Sequence, residues 1–254
     1  MKIATWNVNS LRVRMPQVLD WLAQEAPDVL ALQETKVEDH QFPAVELEQL
    51  GYQVCYSGQK TYNGVAILSR QAMTDVVTDP PALNDPQRRI LAVTIGDLRV
   101  VNLYVPNGSE VGSDKYAYKL EWLLRIREWL EEERGRYPRM VVMGDFNIAP
   151  DDRDVHDPNL WRGKVLCSDA EREALRALFK VGLKDAYRAF EQDPGSFSWW
   201  DYRMNGFKRN LGLRIDLILM SEPLLTQCER CWIDKAPRSL ERPSDHAPVA
   251  ALLT

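Results

Sequence analysis

The sequence predicts one α/β sandwich domain spanning residues 1–254. Apolar runs of strand length alternate with only a few stretches of helical spacing, and no Pro/Gly-rich linker divides the 254 residues. A chain of this size buries about 70–75% of its unfolded surface, enough for a substantial core. Residues 2–6 read as a short strand, followed by Asn9-Ser10 and a helix that tolerates Pro16 in its first turn. Residues 28–33 predict a buried strand. Strand signals recur at 53–56, 64–69, 90–95 and 99–105, with Gly96-Asp97 as the hairpin turn between the last two. Trp122, Leu123, Ile126, Trp129 and Leu130 share one face of a helix over 115–134, a stripe that reads as core packing. A strand over 139–143 and a helix over 169–179 follow. The last apolar run, 247–253, predicts a strand that begins beside His246.

Composition fits an ordinary soluble globular protein, with 45% hydrophobic and 27% charged residues. No apolar run exceeds seven residues, whereas a membrane span needs ~20. The first seven residues lack the apolar core of a leader, so a cytoplasmic protein with no membrane partner is expected. The four cysteines do not suggest a disulfide scaffold. Cys228 and Cys231 form a C-x-x-C without a second pair and read as free thiols in or beside a strand; Cys55 and Cys167 read as small packing residues. A net charge of −5 argues against binding nucleic acid through bulk charge. Basic residues nonetheless lie near the motifs described next: Lys115 and Lys119, then Arg203, Lys208, Arg209 and Arg214. A solvated face and a contact with an anionic partner are both open for them.

Chemistry concentrates where apolar runs end. His246, one of three histidines, follows Ser244-Asp245. Asn7 follows 3–6, Glu34 follows 29–33, Asp145 and Asn147 follow 140–144, and Asp216 lies within 213–219. These are hard oxygen donors, which suit Mg²⁺ or Mn²⁺ and not zinc, because no His/Cys cluster accompanies them. Mg²⁺ takes only one or two protein carboxylates, so the remaining acids must orient water or histidine. A hard cation, a carboxylate base and an imidazole together fit hydrolysis of a phosphate ester. In an extended segment Asp245 and His246 point to opposite faces, so the carboxylate that orients His246 must come from another strand, with Asp216 the best available. Such a neighbour favours imidazolium, a poor base, which leaves Asp145 to activate water.

These motifs resemble a known family. Gln33-Glu34-Thr35-Lys36, Gly144-Asp145-Phe146-Asn147, Gly212-Leu213-Arg214-Ile215-Asp216 and Ser244-Asp245-His246 are similar to the signatures of exonuclease III-type apurinic/apyrimidinic (AP) endonucleases. Trp6-Asn7-Val8-Asn9 and the segment from Phe197 to Arg203 match in the same order, so the resemblance runs from Lys2 to Leu253. It implies a four-layered αββα sandwich of the endonuclease/exonuclease/phosphatase superfamily, with the site at one edge of the paired sheets.

The resemblance also implies roles. Glu34 matches the metal-binding glutamate and Asn7 the asparagine beside it. Asp145 matches the residue that positions or deprotonates water, and Asn147 the one that fixes it and touches the phosphate, both close enough to serve the metal. Tyr104 matches a contact to the phosphate or leaving group, and Asn107 a further phosphate contact. Asp216 and His246 match a hydrogen-bonded dyad. Asp245 matches a position near the metal, where a second ion is open. Phe197, Trp199, Trp200 and Tyr202 alternate as buried strand residues do, yet Trp199 matches the wall of a pocket for a flipped-out abasic sugar. Trp200 stands between pocket and core. Arg203, Lys115 and Lys119 are DNA-backbone candidates; His40 and His156 read as surface residues. The expected activity is metal-dependent incision 5′ to abasic sites and removal of nucleotides or blocking groups from 3′ ends of duplex DNA, by a monomer. A superfamily phosphatase acting on inositol phosphates or lipids fits the Phe197–Arg203 segment and the chain length poorly. A catalytically dead regulator that binds nucleic acid should have lost acids or the histidine, and none is missing.

Overall fold

The computed structural model describes residues 1–81 and 83–254. In chain order the strands are β1 (Lys2–Asn7), β2 (Val29–Gln33), β3 (Gln53–Ser57), β4 (Val65–Ser69), β5 (Thr74–Val77), β6 (Ile90–Ile95) and β7 (Leu98–Tyr104). The second half adds β8 (Met140–Asp145), β9 (Leu183–Asp185), β10 (Trp199–Trp200), β11 (Gly212–Leu213), β12 (Asp216–Ser221), β13 (Cys228–Ile233) and β14 (Val249–Leu253). The α-helices are α1 (Leu11–Glu25), α2 (Ala44–Glu48), α3 (Asp114–Arg136), α4 (Pro158–Trp161), α5 (Asp169–Lys180) and α6 (Glu222–Leu225).

Twelve strands form two six-stranded mixed sheets, ordered β13-β14-β1-β2-β4-β3 and β5-β6-β7-β8-β12-β9; β10 and β11 make a separate ribbon. Each sheet holds one parallel pair, β1 with β2 and β7 with β8. A parallel pair needs a crossover connection, and α1 and α3 supply them. Strand period two then sorts the side chains into layers. Ile3, Ala31, Ile67, Val100, Val141 and Ile218 meet between the sheets. Ala4, Trp6, Leu30 and Leu32 point the other way with the buried face of α1, and Val101, Leu103, Val142 and Leu217 pack with α3 and α5. The result is a single αββα sandwich. Trp122, Leu123, Ile126, Trp129 and Leu130 are all buried, as their spacing predicts. Fully burying a large apolar side chain contributes ~1.5–3 kcal/mol, so this stripe anchors α3.

Several expectations change. Pro16 lies six residues into α1, beyond the first turn. The carbonyl it leaves unpaired belongs to Arg12, which is exposed, so solvent can serve it. The apolar run 213–219 is not one strand: Leu213 pairs with Trp199, and the chain then enters the second sheet at Asp216. Arg214, between the two, is buried on Asp154 and Asp185, each at 2.7 Å, and is no surface cation. The short strands β5 and β9 carry too little apolar pattern to be read from sequence. All four cysteines are free, with Cys228 and Cys231 in β13. No helix among the described residues is long and apolar enough to cross a membrane.

Candidate active site

Strand parity and register build the site. Asn7 lies on the same face of β1 as Ile3, and Asp216 on the same face of β12 as Ile218, so both look between the sheets at one edge. Tyr104 on β7 pairs with Asp145 on β8, which pairs with Asp216 on β12, giving three neighbouring functional groups on one rung. Gly144 lets β8 approach: a Cβ there would stand 1.9 Å from the Leu103 carbonyl oxygen. Past the strand ends the backbone turns sharply, with Glu34 at φ 51° and Asn147 at φ 49°. Such left-handed conformations cost of order 1–3 kcal/mol for a side-chain-bearing residue unless, as with asparagine, it tolerates them. They aim the two side chains back at the edge.

Asp145 is held on both oxygens. Its Oδ1 accepts from the Asn147 backbone N–H at 2.9 Å, and its Oδ2 accepts from Asn7 Nδ2 at 2.9 Å and Asn147 Nδ2 at 3.3 Å. Asn7 Nδ2 also donates to Glu34 Oε2 at 3.1 Å, so one amide gathers two carboxylates from opposite sheets. His246 Nδ1 meets both oxygens of buried Asp216, at 2.9 and 3.1 Å, and its Nε2 stands 3.7 Å from Asp145 Oδ2. The dyad inferred from strand parity is therefore present. Asp245 points the other way, accepting from Asn9 Nδ2 and Trp199 Nε1, each at 3.0 Å.

Burial sets the electrostatics. For His246 burial favours the neutral ring, but Asp216 and Asp145 outweigh it and raise the pKa to about 10. For Asp145 burial is the main cause of a pKa raised to about 7, opposed by the charge on His246. The Tyr104 phenol is pushed well above its ordinary value, first by burial and then by Glu34 and Asp145. At neutral pH the edge thus presents an imidazolium, a protonated phenol and a carboxylate poised to take a proton, the match between pKa and working pH expected of a general base.

The donor chemistry fits a hard divalent cation. Asp145, Asp216 and His246 offer ligand atoms within 4.8 Å of one another. Asp216 already engages the imidazole, whose charge repels a cation, so the Glu34 side is the more suitable place. There two carboxylates converge on the amide of Asn7, and the Glu34 side chain is 20% exposed.

Second-tier contacts fix these groups. Ser198 Oγ accepts from the backbone N–H groups of Ile215 and Asp216, each at 3.0 Å. Ser244 Oγ donates to the Asn7 carbonyl at 2.6 Å and accepts from His246 N–H at 3.1 Å. Between the sheets, Gln33 Nε2 donates to Thr5 Oγ1 at 2.9 Å and to Asn102 Oδ1 at 2.8 Å. Sequence reasoning missed these roles, although Ser198, Ser244 and Gln33 all lie inside its motifs.

The remaining assignments divide. Asn107 Nδ2 donates to Asn147 Oδ1 at 3.2 Å. With Glu34, Tyr104 and exposed Lys115 it lines a groove of about 470 Å³. Gln59, Tyr62, Asn63, Gln87 and Arg89 also line that groove and were not anticipated; only their polarity could have flagged them. Trp199 is half-buried, edge-on to Trp161 at 6.4 Å among Val155, Leu166 and Leu213. Trp200 is a correction: fully buried against Phe197, Ala247 and Phe207, it is core. Lys119 is another. It is fully buried and paired with Glu171 at 2.5 Å, with no surface to offer DNA. Arg203 is highly exposed and pairs with Asp201. His40 is exposed; His156 is partly buried, its Nδ1 3.2 Å from the Gly212 carbonyl oxygen.

Comparison with known proteins finds consistent likenesses. The sequence pattern of the Endonuclease/Exonuclease/phosphatase family matches residues 4–246. The chain is 38% identical to exodeoxyribonuclease III of Haemophilus influenzae, covering 99% of both chains. Its fold superposes with TM-score 0.98 on a 3′ phosphatase from Neisseria bound to a product DNA hairpin, at 46% identity, covering 100% of this chain and 99% of the other. An AP endonuclease from Archaeoglobus fulgidus gives TM-score 0.95 and 38% identity at the same coverage.

Proposed function

Because the chain belongs to the endonuclease/exonuclease/phosphatase family, we propose that it is a divalent-metal-dependent DNA-repair nuclease. In this reading it hydrolyses phosphodiesters 5′ to abasic sites and removes nucleotides, phosphates or other blocking groups from 3′ ends of duplex DNA. The observation that carries it is the convergence of Asp145, the Asp216–His246 dyad and the Asn7–Glu34 pair at one sheet edge. The named activities of the relatives, an exodeoxyribonuclease, a 3′ phosphatase and an AP endonuclease, are phosphoester hydrolyses that such a set suits.

Asp145 takes the proton of the attacking water, its carboxylate held by Asn147 and Asn7. The water oxygen bonds to phosphorus as the bond to the leaving oxygen breaks. His246, charged and oriented by Asp216, donates from Nε2 to a non-bridging oxygen, where negative charge grows in the transition state. Asn147 and Asn107 hold the phosphate by their amides. The Tyr104 hydroxyl, kept protonated, donates to the phosphate or to the departing oxygen. Glu34 with Asn7 would hold Mg²⁺, or Mn²⁺ in its place, which when bound supplies Lewis-acid charge on the phosphate oxygens; Asp145 lies close enough to assist, and Asp245 is the candidate for a second ion. Trp199 and its apolar surroundings suit a sugar without its base, while Lys115 and Arg203 are the cations available to flanking phosphates. The protein acts as a monomer in the cytoplasm, at the nucleoid during repair.

The test uses purified protein on a duplex carrying one stable abasic analogue and on the same duplex ending in a 3′ phosphate. Both should be processed with Mg²⁺ or Mn²⁺ and left intact with a chelator. A protein that leaves both uncut with either metal sinks the reading.

A further inference from the structure

We infer that Lys119 is a positioning residue that holds the Asn107 and Asn147 loops in register beneath the phosphate. This deepens the functional reading above and rests on it for the roles of the two amides. Lys119 projects from α3, and its ammonium has three acceptors: the Asn147 carbonyl at 2.7 Å, the Asn107 carbonyl at 3.1 Å and Glu171 Oε1 at 2.5 Å. An ammonium has three protons, so all are used. Above it the side chains of Asn107 and Asn147 bond each other at 3.2 Å. Main chains and side chains of the two residues are thus tied in a closed ring through one cation. The ring reaches the base directly, because the same Asn147 donates its N–H to Asp145 Oδ1.

Two features separate this role from a buried ion pair that only stabilises the fold. Glu171 has three other donors: Leu166 N–H at 3.0 Å, Ser168 N–H at 3.1 Å and Ser168 Oγ at 2.6 Å. It belongs to the capping box of α5 and is anchored without the lysine. A fully desolvated pair also gains little net stability over apolar residues of similar volume. The loop is fitted to the lysine stem as well. Gly108 has φ +91°, and a Cβ there would lie 3.1 Å from Lys119 Cδ and 3.3 Å from Val165 Cγ2. A side chain after Asn107 would therefore take a strained backbone conformation and press on the lysine stem.

The experiment compares Glu171→Gln with the double variant Lys119→Met/Glu171→Gln, which differs from it only at the lysine, on the abasic-analogue duplex, alongside thermal midpoints. Glu171→Gln keeps the ammonium and both carbonyl bonds; it should lose stability while kcat stays within about threefold of wild type. The double variant leaves no unpaired buried charge and should fold. Its kcat should fall by on the order of ten- to a hundredfold with KM little changed, since sub-ångström misplacement of reacting groups costs about that much. Whatever the activity, side-chain amide NMR signals of Asn107 and Asn147 should move in the double variant and stay in Glu171→Gln. Unmoved amide signals, wild-type kcat in the double variant, a loss confined to KM, an equal kcat loss in Glu171→Gln, or a double variant that does not fold would each overturn the inference. A wild-type protein that cuts no DNA would instead overturn the functional reading.

Discussion

Asp216→Asn tests the electrostatic core of the mechanism. The asparagine keeps an oxygen to accept from His246 Nδ1, now 2.9 Å from the carboxylate, and removes only the charge. With charge centres ~4 Å apart and an effective dielectric of ~20, the lost attraction is ~4 kcal/mol. At 1.36 kcal/mol per pH unit that is an upper value of ~3 units, and neighbouring charges commonly move a pKa by 1–3. The His246 pKa, raised to about 10, should therefore drop to ~8. Asp216 also raises the Asp145 pKa, so both limbs of the pH–rate profile should move down together. At pH ~6.5 the histidine stays charged in both proteins and the variant, whose Asp145 is the more fully ionised, should be no slower; at pH ~9 the variant retains about a tenth of its imidazolium and should be about tenfold slower. The assay is initial cleavage rate of the abasic-analogue duplex against pH at constant ionic strength, with the His246 ring titration followed by NMR. An alkaline limb unmoved to within about half a unit, or a wild-type His246 that titrates near its ordinary ~6.5, would refute the reasoning.

Asp145→Asn should lower turnover by ~10²–10⁴-fold while DNA binding persists; a near-normal rate removes Asp145 as the base. Its folded pKa is raised from 3.8 to about 7, so ionisation costs the native state stability as pH rises between those values, and Asp145→Asn should flatten that part of the stability curve in chemical denaturation. Trp199→Ala should harm abasic-site cleavage more than trimming of 3′ ends; equal losses in parallel rate measurements would dissolve the pocket assignment. Trp200→Ala empties a fully buried site and should cost ~3–5 kcal/mol by denaturant titration while the folded fraction still cleaves. Arg214→Met leaves Asp185 without this partner and Asp154 with Arg188 alone, and should cost up to ~3–5 kcal/mol by the same titration, with a change below ~1 kcal/mol counting against its structural role.

The motifs made much of the site legible because strand chemistry is local. Period two sends Asp245 away from His246, and Asp245 does bond Asn9 and Trp199 while Asp216 takes the imidazole. The same period carries Ile3, Asn7, Ile218 and Asp216 to the inner faces of their sheets. Helix α3 follows directly from its apolar stripe. Lys119 and Arg214 were misread for one physical reason: a cation in a sequence looks solvated unless its counter-ion is known. Their counter-ions stand 52 residues from Lys119 and 60 and 29 residues from Arg214. Trp200 was ambiguous because alternation says that a side chain is buried without saying whether core or pocket covers it.

The sequence by itself singled out the candidate residues at the ends of apolar runs and the face that each side chain takes within a strand. These depend on backbone geometry and on neighbours within a few positions. Only the tertiary structure decided which groups meet. Asn7 and Asp145 come from different sheets and 138 residues apart, and the groove beside Glu34 is assembled from the end of β7, the start of α3 and loops far apart in sequence. Such encounters, and the raised pKa values of His246 and Asp145 that follow from them, depend on how two sheets pack and what that packing desolvates.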